Sequence, residues 1–402
     1  MWSRGKLRYV ATGCVLLVAA MIPAVITAAD QPDAIKEAVA KAQAKHSERR
    51  PSDRDGLSAR ARLGKSIFFD ATLSSQKNQS CAFCHAPETG FTSPREDVNA
   101  GGGVVEGSIT GRFGNSKPPS ATYMSPAPVL HHRIEDDEML FVGGAFWNGR
   151  ATGKQLGNPI ADQVLGPFLN PLEMALPDGA CVVKRVCNPS DASSYPVTLA
   201  DLWGEELCRI SWPADLDQQC ADPDAKIVLD EATRAKADDA FAKIGLAVAS
   251  YETSIEFNPF SSKYDMVMAG KASFTEEEAK GLALFKGKGL CANCHVLDAG
   301  PKGEPALFTD FTYDNLGVPR NPDNPFYGQH ASINPKGKDW LERGLGATLE
   351  KDPIYTAQAE GNMGKVKVPT LRNVDKRPHP AFVKAFMHNG YFKSLKTVVH
   401  FY

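Results

Sequence analysis

Two short runs in this chain of 402 residues carry residue types that do chemistry at a fixed spacing: Cys81-Ala82-Phe83-Cys84-His85 and Cys291-Ala292-Asn293-Cys294-His295. Both read Cys-x-x-Cys-His, the attachment sequence for c-type haem. Thiols at that spacing form thioethers with the two vinyl groups of one haem, and the adjoining histidine is held where it ligates the iron. One copy can arise by accident or serve as a redox dithiol. Two copies, each after a similar helical pattern, argue against accident, and no βαβ pattern surrounds either as a thioredoxin-like dithiol would need. Two covalently bound haems are therefore expected, one on Cys81, Cys84 and His85 and one on Cys291, Cys294 and His295. The second axial position of each iron then decides the function. Two strong ligands make an electron carrier; an open position binds peroxide or another small molecule.

The chain holds nine cysteines. Cys181, Cys187, Cys208 and Cys220 form an even set in one short stretch. In an oxidising compartment they should make two disulfides, whose pairing the spacing leaves open. A four-cysteine metal site is the alternative, but no Cys-x-x-Cys pair occurs among them. Export is expected from the N-terminus. Arg4, Lys6 and Arg8 precede an apolar run from Val10 to Ala28, and Thr27, Ala28 and Ala29 offer a cleavage site before Asp30. Residues 1–29 thus read as a signal peptide directing the chain to the periplasm. An uncleaved anchor helix is the competing reading, since the run nearly spans a bilayer. Cys14 has too little apolar sequence before it for a lipoprotein site. No later segment is apolar enough to cross a membrane. Losing the three N-terminal cations takes the formal charge from -2 to -5, and no basic surplus marks nucleic acid as a partner.

The elements that must position these groups read as helices. The length suits two domains, and 43% hydrophobic residues allow each a core. Gly90 to Pro128, rich in Gly and Pro, reads as loop. Cys181 to Asp224 reads as an insertion with weak periodicity. Glu231 to Tyr251 reads as a helix on the recurrence of Ala240, Ile244, Ala247 and Ala249, and Asn258 to Ala272 as a link. Ser273 to Glu276 has the pattern of a helix start, leading into a helix over Thr275 to Lys286 and then the second motif. Arg62-Leu63-Gly64-Lys65-Ser66-Ile67-Phe68-Phe69 precedes the first motif much as Ala279-Lys280-Gly281-Leu282-Ala283-Leu284-Phe285 precedes the second. This weak duplication points to two similar helical haem domains. Strand signals are scarce. The fold is expected to be mainly α, with an N-terminal domain over residues 30–265 (the insertion lying at about 181–224) and a C-terminal domain over 266–402.

Taken together, these stretches resemble a known family, the bacterial di-haem cytochrome c peroxidases and their relative MauG. The likeness follows the family's order: Cys81 to His85, Phe146-Trp147-Asn148-Gly149-Arg150-Ala151, Gln163 to Met174, Cys291 to His295, Phe311 to Pro319, Val368 to Val374, and Met387-His388-Asn389-Gly390 through Tyr402. The resemblance implies two cytochrome-c-like helical domains. Peroxide chemistry would belong to the N-terminal haem, and electron storage or delivery to the C-terminal one. It also implies residue roles. Glu173 would be the acid/base residue of the distal wall, with Gln163 and Pro167 lining the pocket. A buried Glu can carry the proton that peroxide cleavage moves from one oxygen to the other. On the residues alone, without the resemblance, Glu173 reads first as an acid favoured in an early turn of a helix.

Trp147 would relay electrons or holes between the haems, pack beneath one of them, or both. Arg150 would pair with a haem propionate or stand in solvent. Tyr402 falls where the peroxidases carry a ligating methionine and MauG a ligating tyrosine. It is the expected distal ligand of the C-terminal haem iron, with Met387 the alternative and His388 or His400 behind them. Methionine would raise the potential relative to an anionic oxygen donor.

Two features depart from the family pattern. Members that need reductive activation carry a histidine in the loop corresponding to Gly111 to Ser116; none stands there, and His131-His132 lie well downstream. The N-terminal iron is expected to be open, the alternative being that one of that pair reaches it. The chain also stops at Tyr402 on an apolar run that reads as mid-helix. Members usually continue for tens of residues, so this end reads as truncated. The family further holds a calcium ion between the haems. The matching ligands would be backbone carbonyls near Val383 and Ala385, with Asn115 as a side-chain ligand.

The function the resemblance implies is reduction of hydrogen peroxide by electrons from a small periplasmic cytochrome c or cupredoxin, and a homodimer is compatible with it. The runner-up is a MauG-like oxidase that modifies a partner protein, favoured by Tyr402 and the missing activation histidine. A plain di-haem electron carrier is the reading from another class. It needs two strong distal ligands, and the sequence offers one good candidate.

Overall fold

The computed structural model describes residues 56–189, 193–300 and 303–402; the signal-peptide reading of residues 1–29 lies outside them. Helices dominate, as capped apolar periodicity dictates. α1 (Ala59–Phe68) starts at Ser58, whose hydroxyl accepts from the Ala61 amide, and buries Leu63, Gly64, Ile67 and Phe68. α2 (Pro159–Leu169) starts at Asn158, whose side-chain oxygen accepts from the Ile160 and Ala161 amides. α3 (Gly179–Cys187), α4 (Tyr195–Trp203) and the 22-residue α5 (Glu231–Glu252) follow. α5 is the axis of the N-terminal core: α1, α2 and α3 all pack along it.

The α1–α5 crossing is tight enough to require a glycine. A Cβ on Gly64 would lie 2.0 Å from the Ala247 carbonyl oxygen, backbone against backbone with nothing flexible to yield. Gly64→Ala should cost about 1–3 kcal/mol and lower the Tm clearly in a circular-dichroism melt. Gly281, its counterpart in the sequence duplication, has open space around it. Gly281→Ala should leave the Tm unchanged or raise it slightly.

The four remaining cysteines pair as Cys181–Cys220 and Cys187–Cys208, one bridge nested inside the other. Cys181, Val182, Val183 and Val186 of α3 are fully buried, and Leu216 and Cys220 join the same cluster. The segment that reads as an insertion is thus built into the N-terminal core.

The C-terminal part has shorter elements: α6 (Lys263–Met268), α7 (Glu276–Lys286), α8 (Gly344–Leu349) and α9 (Leu395–Phe401). α7 begins within one residue of the expected Thr275, but its capping pair lies two residues later than the sequence reading placed it. The reciprocal cap joins Thr275 and Glu278, not Ser273 and Glu276: the Thr275 hydroxyl accepts from the Glu278 amide (3.2 Å), and the Glu278 carboxylate accepts from the Thr275 amide (2.8 Å). Starting there puts Glu276, Glu277 and Glu278 in the first turn, where the helix dipole favours acids. No long helix lies across α7, and it buries none of its side chains. The duplication visible in sequence is not repeated in packing.

Two small antiparallel sheets complete the fold. β1 (His131–Glu135) and β2 (Glu138–Val142) form a hairpin turned by Asp136 and Asp137, both at positive φ. β3 (Tyr313–Asp314) pairs with β4 (Val366–Lys367). Phe141 of the hairpin packs with Tyr313, Leu345 and Leu349, tying early sequence to late. Buried Arg372 and Asp265 add a two-bond ion pair, each bond 2.9 Å. No helix among the described residues is long and apolar enough to cross a membrane.

Candidate active site

The first attachment motif is a single helical turn, Cys81–Cys84, closed by the His85 amide donating to the Cys81 carbonyl (2.9 Å). His85 Nδ1 lies 3.0 Å from the Phe91 carbonyl. A carbonyl only accepts, so Nδ1 carries the proton and Nε2 presents its lone pair. Phe91 sits at φ +55°, a left-handed turn that swings its carbonyl back to the imidazole. The second motif repeats the device. The His295 amide donates to the Cys291 carbonyl (2.9 Å), and Nδ1 donates to the Phe308 carbonyl (2.9 Å), with Phe308 also at φ +55°. The two phenylalanines stand six and thirteen residues after their histidines, so no fixed spacing reveals them in sequence. Cys81, Cys84, Cys291 and Cys294 are all free. Burial pushes the Cys81 thiol up to about 12 and the Cys84 thiol higher still.

A cavity of about 430 Å³ opens beside His85, and Cys81, Cys84, Trp147, Gln163, Pro167 and Glu173 all line it. The structure thus brings the whole N-terminal set expected from sequence to one place. Glu173 does not belong to the first turn of a helix. It stands in a tight turn after α2, where its amide donates to the Asn170 carbonyl (2.9 Å) and its carbonyl accepts from the Ser108 amide (2.7 Å). Gly107 permits that approach, because a Cβ there would lie 2.4 Å from the Leu172 carbonyl oxygen. Burial raises the Glu173 pKa, while the Arg150 charge and a hydrogen bond from Asn170 pull it back. Arg150 itself stacks on Phe146, 3.5 Å from the ring centre. Pro167 inside α2 has no N–H to give the Gln163 carbonyl four residues back. Trp147 donates from Nε1 to the Lys117 carbonyl (2.7 Å) and accepts at its own carbonyl from the Lys367 amide (2.8 Å).

His131 and His132 stand exposed on the hairpin, His132 Nδ1 3.1 Å from the Tyr355 hydroxyl. His85 is the only histidine lining the cavity among the described residues.

A family profile described as di-haem cytochrome c peroxidase matches residues 58–273. The methylamine utilization protein MauG of Paracoccus denitrificans is 35% identical, over 88% of this chain and 75% of that protein. The chain belongs to the di-haem cytochrome c peroxidase and MauG family. A cytochrome-c peroxidase, IdrP2, of Pseudomonas sp. strain SCT is 25% identical over 88% of this chain and 75% of its own length. Among solved structures, the di-haem peroxidase BthA of Burkholderia thailandensis superposes with a TM-score of 0.66 at 30% identity, covering 85% of this chain and 71% of BthA. The mainly helical fold is therefore the cytochrome-c-like one of these di-haem enzymes.

The family implies two c-type haems, and the residues present fit them. The attachment thiols are unpaired, and both imidazoles have Nδ1 committed to a backbone carbonyl, which leaves Nε2 as the nitrogen that would ligate an iron. The cavity is also lined by two buried amines without a carboxylate contact among the described residues. Lys117 reaches only the Pro118 carbonyl (3.0 Å) and the Thr92 hydroxyl (3.4 Å); Lys367 reaches the Gly143 carbonyl and the Tyr313 hydroxyl (2.6 Å). Burial pushes both down to about 7. A bound haem's propionates would supply the anion that Lys117 lacks, and would add to the Asp310 charge that already acts on Lys367. A lone lysine in a loop or strand gives no sign of this in sequence, and neither amine was singled out there. Glu252, at the end of α5, is another cavity residue that sequence reasoning passed over.

Of the ligand candidates for the second iron, Tyr402 is 65% exposed, yet Cys294, Cys291 and Asp314 are near enough to raise its pKa after partial burial of the hydroxyl. His388 lies elsewhere, its ring 6.4 Å from that of Trp147 and its buried Nδ1 without a partner. Met387 precedes it at φ +63°, and His400 is exposed on α9. Asn115 lines the cavity rim, its side-chain oxygen accepting from the Ser116 hydroxyl (3.1 Å), while the Val383 carbonyl accepts from Asn99 (3.2 Å). No hydrogen bond joins the Asn115 side chain to the segment carrying Val383 and Ala385.

Proposed function

We propose that this protein is a periplasmic di-haem peroxidase that reduces hydrogen peroxide on the His85 side with single electrons from a small cytochrome c or cupredoxin. The observation that carries the reading is one cavity holding the His85 imidazole, Glu173, Gln163 and Pro167 with no second histidine among the described residues. Held on Cys81, Cys84 and His85 and on Cys291, Cys294 and His295, two haems would supply the one-electron redox chemistry. The remaining work belongs to side chains. Glu173 takes the proton from one peroxide oxygen and returns it to the other as the O–O bond breaks. One peroxide, two electrons and two protons leave as two waters. Gln163 and Pro167 hold peroxide against Glu173, and Trp147 passes electrons between the haem-bearing parts, residues 30–265 and 266–402. Two disulfides in the N-terminal core support an oxidising compartment.

A second reading, an oxidase that modifies a partner protein, draws on the likeness to MauG and on Tyr402 beside the second motif. Absorption and EPR spectra of the oxidised protein, before and after one equivalent of hydrogen peroxide, test both. One high-spin and one low-spin haem, changing promptly on peroxide, is the result expected. Two low-spin haems that ignore peroxide even after half-reduction would leave an electron carrier. Tyr402→Phe then tests the second reading: the low-spin spectrum should change if Tyr402 ligates the second iron, as the oxidase reading requires, and an unchanged spectrum would remove that reading.

A further inference from the structure

The mechanism above uses Glu173 and leaves a second carboxyl in the same cavity idle. Glu252 closes α5 with only 6% of its surface exposed, and its side chain lines the cavity on the Cys81 side, where its charge raises the Cys81 thiol. Its backbone carbonyl accepts from the Asn258 side chain (2.9 Å), but no donor or cation reaches its carboxyl among the described residues. It makes no hydrogen bond to His85. The groups facing it are few. Tyr251, its neighbour on α5, feels its charge, and the Tyr251 hydroxyl donates to Glu256 (2.8 Å). Lys65 of α1 is already paired with Glu256 (2.7 Å). The Cys81 thiol ceases to titrate once it forms a thioether. His85, Lys117, Arg150, Glu173, Glu342 and Lys367 are the other titratable or charged side chains that line the cavity.

A buried carboxyl without partners stays neutral, because the charged form costs several kcal/mol in such a setting. Burial alone pushes Glu252 up to about 8. An added positive charge in the same low-dielectric cavity reverses that preference, since opposite charges there attract far more strongly than in water.

We propose that Glu252 is the proton-exchanging partner of the N-terminal haem, protonated while the iron on His85 is reduced and ionised once an electron has been withdrawn. The inference rests on the reading that His85 carries a haem facing this cavity. The step balances. The iron loses one electron to the oxidant (peroxide in turnover, a chemical mediator in a titration), the Glu252 O–H bond breaks, and the proton goes to water. The carboxylate left behind offsets the charge gained, so the cavity's net charge does not change. Re-reduction runs the same exchange backwards.

Spectroelectrochemical titration of the di-haem protein at a series of pH values tests this. The wild-type midpoint of the N-terminal haem should fall as pH rises, by up to about 59 mV per unit, the one-electron equivalent of a tenfold change. The fall should run between the Glu252 pKa of the oxidised protein and the higher one of the reduced protein. Glu252→Gln mimics the protonated form, so its midpoint should stay near the wild-type acid value and lose the slope, whereas Glu173→Gln should keep it. An unchanged slope in Glu252→Gln would overturn the proposal. Redox-difference infrared spectra of the wild type give a second reading that needs no variant. A protonated-carboxyl band should vanish on oxidation, and its absence from the reduced protein would equally overturn the idea. Haem counting by pyridine haemochrome comes first. A protein loaded only at His295 would overturn the haem assignment itself, and the proposal with it.

Discussion

Glu173→Gln should lower kcat for peroxide by roughly a hundred- to ten-thousand-fold, the span usual for loss of a positioned acid/base group. Haem content and the resting spectrum should stay as they are. Glutamine keeps the size and the hydrogen bond from Asn170 but cannot accept the peroxide proton. The sign of the pH effect follows from the raised pKa of Glu173, caused chiefly by burial. The base form must be ionised to act, so wild-type kcat/KM should fall as pH drops through a value above the ordinary glutamate pKa of about 4.3. That limb should be missing from the residual activity of the variant. Steady-state rates across pH decide it, and a variant with wild-type kcat would remove Glu173 from the mechanism. A variant that had simply lost structure would betray itself by lost haem.

The largest effect on stability should come from the nested disulfides. Replacing Cys181 and Cys220 by alanine opens a loop of 39 residues, worth about 4 kcal/mol in chain entropy, and the inner pair spans 21, worth about 3 kcal/mol. The loops overlap, so the two losses will not add in full. Against a total stability of about 5–15 kcal/mol, either is a large share. Guanidinium unfolding of each double variant measures the cost. An unchanged midpoint would mean that the buried faces of α3 hold the segment without covalent help. Because α3 packs on α2, and the turn after α2 carries Glu173, the N-terminal haem spectrum should be disturbed before the C-terminal one as denaturant rises.

Covalent chemistry was the most legible part of this chain in sequence. Cys-x-x-Cys-His is read by local spacing, and so is the helix Glu231–Glu252, because both depend on neighbours along the chain. The helix α7 was read to within one residue, but its capping pair slipped by two, since Ser273-x-x-Glu276 and Thr275-x-x-Glu278 fit one pattern equally well and the second is the pair that closes reciprocally. The pairing of Cys181, Cys187, Cys208 and Cys220 stayed open for a different reason. Four cysteines permit three pairings, and only the path of α3 and the loops after it selects one. Phe91 and Phe308 act through backbone carbonyls, which carry no residue signature. Lys117, Lys367 and Glu252 were invisible as site residues because an ordinary charged residue in sequence announces nothing about its burial. Glu173 was found through resemblance; its own neighbours in sequence suggest only a helix start that the fold does not contain.

Residues 147–149 are gripped from both sides. The Trp147 indole donates to Lys117 and its carbonyl takes the Lys367 amide, the Asn148 carbonyl takes the Thr348 hydroxyl (2.7 Å), and a Cβ on Gly149 would strike the Tyr313 hydroxyl. Such a segment acts as a rivet through two plates. Electron transfer through protein weakens steeply with separation, so a joint that breathes would make traffic between two redox centres intermittent. Here the joint cannot flex without breaking bonds to both plates at once. Under the relay through Trp147 proposed above, timing would then be left to the chemistry at the two ends and to the arrival of the donor, and the path between them would behave as a fixed resistor.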